Sequence, residues 1–126
     1  MRFTQDLSSN VNVIRGYGRG YPRGELRIND KLFQQSLILS STTIQPEPAL
    51  TEVAGLNDAH LAYILGLKPE VVLLGTGQRQ VFPNASVGAR FLQVGVGFEV
   101  MDTGAACRTF NVLVGEQRQV VALLLL

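Results

Sequence analysis

With 126 residues, 46% of them hydrophobic and 17% charged, the chain has the length and composition of one globular domain spanning residues 1–126, not of a disordered segment. Eleven basic residues against ten acidic ones give a net charge of +1, which offers little long-range attraction to DNA, RNA or an anionic membrane. A single cysteine and a single histidine exclude an internal disulfide and the usual Cys/His zinc sites, and no cofactor is implied.

The opening residues "MRFTQDLSSN" lack the apolar core of a signal peptide, and Asp6 argues against an acid-poor transit peptide. The longest apolar run, "VVALLLL" at 120–126, falls far short of the roughly 20 residues that a spanning helix needs. A cytoplasmic location without a transmembrane segment is therefore expected.

From residue 11, "VNVIRGYGRGY" predicts a strand that runs into an irregular, glycine-broken stretch. The wider segment "RGYGRGYPRGELR" interleaves arginine with tyrosine as nucleic-acid arms do. Its basic excess is small, however, and no nucleic-acid partner is expected. "ELRINDKLF" sets Asn29-Asp30 between two alternating runs, a hairpin turn. "SLILSSTTIQ" reads as one strand centred on Leu37, Ile38 and Leu39, and Pro46 and Pro48 end regular structure after it.

The rhythm then changes. "NDAHLAYILGLKP" predicts a helix capped at Asn57 or Asp58, with Leu61, Ile64 and Leu65 on one stripe. "EVVLLGTG" is a continuously apolar strand, the pattern of a strand covered on both faces. "PNASVGARFLQVG" gives a short helix with Pro83 in its opening region, and "VGFEVMD" another strand. "TGAACRTFNVLVGE" gives the last helix, and "RQVVALLLL" closes as a buried strand. Helix and strand alternating in this way predict an α/β fold in three layers: a central mixed, mostly parallel sheet with helices, and an additional antiparallel N-terminal β-portion.

Two stretches hold the candidate chemistry. In "EVMDTGAACRTFN", Cys107 sits in the first turns of a helix beside Arg108, which favours a reactive thiolate. The stripe Cys107, Phe110 and Val114, at i, i+3 and i+7, favours a core position instead, and the core reading is the stronger. Asp102 and Thr103 fall where strand passes to helix and suit helix capping; Asn111 has a polarity that the helix alone does not explain. In "LLGTGQRQ", Gly75-Thr76-Gly77 makes a tight strand exit, without the third glycine and immediate helix of a dinucleotide site. Together Gly75, Thr76, Gly77, Asp102, Thr103, Arg108 and Asn111 outline a cleft at strand carboxyl ends, where open α/β sheets bind ligands. No complete catalytic constellation emerges: His60 falls beside an apolar stripe, and Glu99 and Asp102 do not converge as an acid/base pair. Catalytic and metal-ligating residues are therefore assigned to none.

Residues 96–124, "VGFEVMDTGAACRTFNVLVGEQRQVVALL", resemble the signature of the domain of unknown function 498 family through their Met-Asp-Thr, Ala-Cys-Arg-Thr and Asn elements. "GYGRGYPRGELRINDKLFQQSLIL" is similar to that family's opening β-region and "EVVLLGTGQRQVFP" to its glycine-bearing middle strand. The family includes a mitochondrial assembly factor of respiratory complex I; the resemblance implies a three-layer α/β fold with a central mixed sheet and supplies no reaction. The chain departs from relatives in having no tryptophan near "STTIQPE". A bacterial, non-enzymatic interaction protein with protein partners, an assembly or chaperone-like factor peripheral to a membrane (respiratory) complex, is the function expected. The alternative is a small-molecule-binding protein or enzyme that uses the cleft, with Arg108 as an anion contact.

Overall fold

The computed structural model of the protein describes residues 11–17 and 24–126. The first ten residues and residues 18–23, which contain the middle of the arginine–tyrosine segment, lie outside the described residues.

Strands β1 (Ile14–Tyr17), β2 (Leu26–Ile28) and β3 (Lys31–Phe33) form a small antiparallel sheet in that order. Asn29 turns the β2–β3 hairpin at φ 55°, a left-handed conformation that asparagine tolerates. Its side-chain carbonyl also accepts the Val13 amide at 3.1 Å. Ile14 pairs with Ile28 and Gly16 with Arg27, so Arg15 is one residue more than β2 can match. This is a β-bulge, and it breaks the alternation of side chains along β1.

The segment expected as one strand is a hairpin of two, β4 (Leu37–Ser40) and β5 (Ile44–Pro46). Its turn is made by hydroxyls. Ser40 and Thr43 share a hydrogen bond of 2.6 Å between their side-chain oxygens, and the Ser40 hydroxyl accepts the Thr43 amide at 3.0 Å. Serine and threonine offer the backbone such local partners, which compete with an extended ladder.

A 3₁₀ turn (Val53–Gly55) leads to helix α1 (Asp58–Gly66), then β6 (Val71–Gly75), α2 (Ala85–Leu92), β7 (Gly97–Met101), α3 (Thr103–Gly115) and β8 (Val120–Leu124). Asn57 caps α1 in a reciprocal box with His60, and Asn84 caps α2, so Pro83 lies just outside that helix and not within its opening turn. The main sheet has the order β5-β4-β8-β6-β7. Its β6 pairs in parallel with β7 and β8, and its β4 is antiparallel to β5 and β8. β4 thus belongs to the main sheet and not to the N-terminal β-portion. β8, the last strand, sits at the centre between β4 and β6, which is why all five of its residues are buried. β7 is an edge strand, and the Gln80 side-chain amide donates to its Val100 carbonyl at 2.9 Å.

Alternate residues of the central strands feed two cores. Leu37, Leu39, Leu73, Ala122 and Leu124 face α3 and the small sheet, packing with Cys107, Phe110, Leu26 and Ile28. Ile38, Val72, Leu74 and Leu123 face α1 and α2, packing with Leu61, Ile64, Val87 and Phe91. The sheet is therefore the middle of three layers, and both faces draw stability from apolar area removed from water.

Candidate functional site

The site grows from the carboxyl end of β6. Gly75 is buried where α3 crosses the strand. A Cβ built there would lie 3.0 Å from both the Thr103 Cα and the Ala106 Cβ, and 3.1 Å from Leu124 Cδ2. Thr76 uses its hydroxyl on its own loop, donating to the Arg79 carbonyl and accepting the Val81 amide. Gly77 turns the chain at φ +98°, a conformation natural to glycine. The Gly77 amide donates to the Thr103 hydroxyl at 2.7 Å, and its carbonyl accepts the Thr103 amide at 2.9 Å.

The start of α3 is fixed in the same place. Asp102 is the N-cap and accepts the Ala105 amide at 2.8 Å, satisfying one of the amides a helix start leaves without partner. Thr103 is fully buried, and its hydroxyl passes the network on by donating to the Leu125 carbonyl at 2.7 Å. Further along, Asn111 holds the backbone of β1 from both sides. Its carbonyl accepts the Ile14 amide at 2.9 Å and its amide donates to the Ile14 carbonyl at 2.7 Å. This grip accounts for the polarity of Asn111 that the helix alone left unexplained.

Between β1, the loop after β6 and α3 lies a cleft of about 460 Å³. Of the seven residues outlined from sequence, Gly77, Asp102, Arg108 and Asn111 line it. Gly75 and Thr103 are buried, and Thr76 borders a neighbouring cleft of about 340 Å³ that shares Tyr17, Gly77 and Gln78 with the first. Sequence reasoning missed Arg15, Tyr17, Gln78 and Gly104. Gly16, a glycine inside a strand pattern, was the available signal, because such glycines mark bulges.

Cys107 is 4% exposed and packs with Phe110 and the central strands. Burial pushes its thiol up to about 12; the Arg108 guanidinium pulls the other way, and the Asp102 carboxylate adds to the rise. The Tyr17 hydroxyl is also raised, first by burial and then by Cys107 and Asp102. His60, the only histidine, supplies no base to the thiol. It stands on the helix layer across the sheet, with Nδ1 accepting the Asn57 amide and Nε2 3.4 Å from Glu47. Among the described residues no three of His, Cys, Asp or Glu gather to hold a metal ion, and no helix is long and apolar enough to cross a membrane.

A free thiol titrates near 8.5, so at pH 8 the folded protein is expected to react with a disulfide reagent about a thousandfold more slowly than the urea-unfolded chain. The folded state also holds this proton more tightly than the unfolded state. The stability tied to it is complete below about pH 8.5 and is lost as pH rises toward about 12. Urea titrations between pH 8 and 10 should show a decline of up to about 1.4 kcal/mol per pH unit that Cys107→Ala removes. A labelling rate equal in folded and unfolded protein would show an accessible thiolate.

The sequence profile of the family described as protein of unknown function (DUF498/DUF598) matches residues 18–125. The chain is 29% identical over 106 residues to a 13 kDa major membrane protein of Francisella tularensis subsp. holarctica (strain LVS), covering 83% of this chain and 86% of that protein. It is 32% identical over 121 residues to NADH dehydrogenase (ubiquinone) 1 alpha subcomplex assembly factor 3 of Danio rerio, covering 96% of this chain and 68% of that one. A crystal structure of a protein from Bordetella parapertussis superposes with a TM-score of 0.81 at 34% identity, covering 91% of this chain and 95% of that chain.

Proposed function

We propose, from the premise that this chain belongs to the family of proteins of unknown function DUF498/DUF598, that it works through its surface as an interaction protein assisting the assembly of a membrane-bound respiratory complex. The similarity to an assembly factor of NADH dehydrogenase, over 96% of this chain, gives the reading its direction. The observation that carries it lies in the loop between β6 and α2, where Phe82 is 72% exposed beside Val81 at 46%. An aromatic side chain left in water forgoes about 1.5–3 kcal/mol of burial, and aromatic residues dominate the energetic centres of protein interfaces. On this reading the protein acts from the cytoplasm at the periphery of the complex, with protein partners and no nucleic acid.

Affinity capture at native expression in gentle detergent tests the reading. Subunits of a respiratory NADH dehydrogenase are expected to be enriched, and Phe82→Ser to reduce their recovery at least about fivefold, as loss of more than 1 kcal/mol at a hot spot does. The exposed polar control Glu116→Ala should leave recovery unchanged. Absence of any such subunit above background would overturn it.

A further inference from the structure

The cleft beside α3 is lined by two arginines that neither capping nor core packing explains. Gly104, Arg108 and Asn111 follow one another at i, i+4 and i+7 along the helix, so they form one stripe, and all three line the cleft. Opposite them is β1, where the bulge leaves Arg15 unmatched and Arg15 lines the same space. Bulges re-aim side chains, and here the re-aimed side chain is a cation.

Arg90 pairs with Asp58 and Arg118 with Glu70, whereas Arg15 and Arg108, like Arg27 and Arg79, form no ion pair with a described residue. Arg15 and Arg108 are the two of these that line this cleft. The one carboxylate in the lining, Asp102, accepts the Ala105 amide at the helix start. Two arginines therefore line a cleft whose lining holds a single carboxylate, so the lining carries a net positive charge. The floor between them is kept open by Gly104. A Cβ at that position would lie 3.3 Å from Asp102 Oδ1, 3.6 Å from Arg108 Nη1 and 3.7 Å from the Tyr17 ring.

We propose that this cleft binds an anionic oxygen group, a carboxylate or a phosphate, between the guanidinium groups of Arg15 and Arg108. Guanidinium presents a planar fork of donors that matches both groups, and it stays charged at every physiological pH. The volume of about 460 Å³ falls within the range of small-molecule sites. The remainder of the ligand extends past Tyr17 and Gln78 into the adjoining cleft, whose lining includes Arg79, Val81 and Leu126. The ligand is thus an anion with an apolar body, free in solution or presented as an acidic side chain by a partner. This site stands independently of any role in assembly.

Amide chemical-shift titrations of the labelled protein, at constant ionic strength, test it with three probes: inorganic phosphate, glutarate and an acetylated triglutamate peptide. At least one is expected to shift the amides of Tyr17, Gly77 and Gly104 along a saturating curve with a dissociation constant below about 10 mM, the weak end of specific binding. Arg15→Gln and Arg108→Gln should each weaken that binding at least fivefold, and Arg118→Gln should leave it intact. Gly104→Ala, which favours the helix but fills the floor, should weaken binding while the protein stays folded. Tighter binding of the peptide than of glutarate would identify a partner's acidic side chain as the source; equal or weaker binding would identify a free anion. Linear shifts with all three probes, or saturation that survives both cleft substitutions, would overturn the proposal.

Discussion

Gly75→Val is expected to destabilise the protein by more than about 3 kcal/mol, the upper part of the range for overpacked sites. The contacts waiting for the new side chain explain why. A single Cβ would already stand 3.0 Å from the Thr103 Cα, 3.0 Å from the Ala106 Cβ and 3.1 Å from Leu124 Cδ2. The first is backbone and the second the only side-chain carbon of its residue, so neither can rotate away; only Leu124 can yield. Interiors packed to crystal-like density transmit such strain, and α3 must move off the sheet to relieve it. Gly75→Ala should cost about 1–3 kcal/mol and Gly75→Val more, read as falling midpoints of urea unfolding. Ala106→Gly should recover part of the loss in the Gly75→Ala protein, because the two positions touch and their effects should not add. A Gly75→Val protein within 1 kcal/mol of wild type would show that α3 does not rest on this strand.

Thr103→Val is the second large effect expected, and it removes no volume. The hydroxyl is fully buried; it accepts the Gly77 amide and donates to the Leu125 carbonyl, both at 2.7 Å. Valine keeps the shape and leaves both backbone groups without a partner. Each orphaned group costs about 1–3 kcal/mol, so a total of about 2–6 kcal/mol is expected. Thr103→Ser keeps the hydroxyl and loses one buried methyl group, for about 1 kcal/mol. The order of unfolding midpoints should therefore be wild type, then serine, then valine, with an unchanged denaturant slope. Valine equal to or better than serine would mean that the hydroxyl contributes nothing net. The effect reaches beyond stability, since this one side chain joins the loop after β6, the start of α3 and the end of β8.

Elements with local causes were legible in the sequence. Asn29-Asp30 turns where a hairpin was expected, and Asp102 caps the helix it precedes. Cys107, Phe110 and Val114 face the core because helical spacing fixes which residues share a side. What escaped reading depends on distant partners. Residues 40–43 tolerate extended structure, and the turn they make is held in part by the Asn12 side-chain amide, which donates to the Ser40 carbonyl at 2.9 Å and the Thr43 carbonyl at 3.3 Å. Strand propensity does not say where β8 inserts, because its neighbours β4 and β6 are separated from it by intervening elements.

The cleft divides in the same way. Gly77, Asp102, Arg108 and Asn111 could be named from their own surroundings in the chain. Asn111 could not be given its partner, the Ile14 backbone 97 residues away. Gly16 signals a bulge in β1, but that Arg15 is the residue left unmatched is set by the β1–β2 pairing.

The central place of β8 also sets the order in which the protein can be made. β4 pairs with β8 through Leu37 and Leu124, and β6 pairs with it through Val71 and Val120. During synthesis, therefore, β4 and β6 leave the ribosome long before the strand that joins them. Until residues 120–124 emerge, the nascent chain carries two half-sheets whose facing edges have unpaired amides and carbonyls, the state most open to wrong pairing with other chains. Arrival of β8 closes both edges at once, and any product that stops short of it is left with both open.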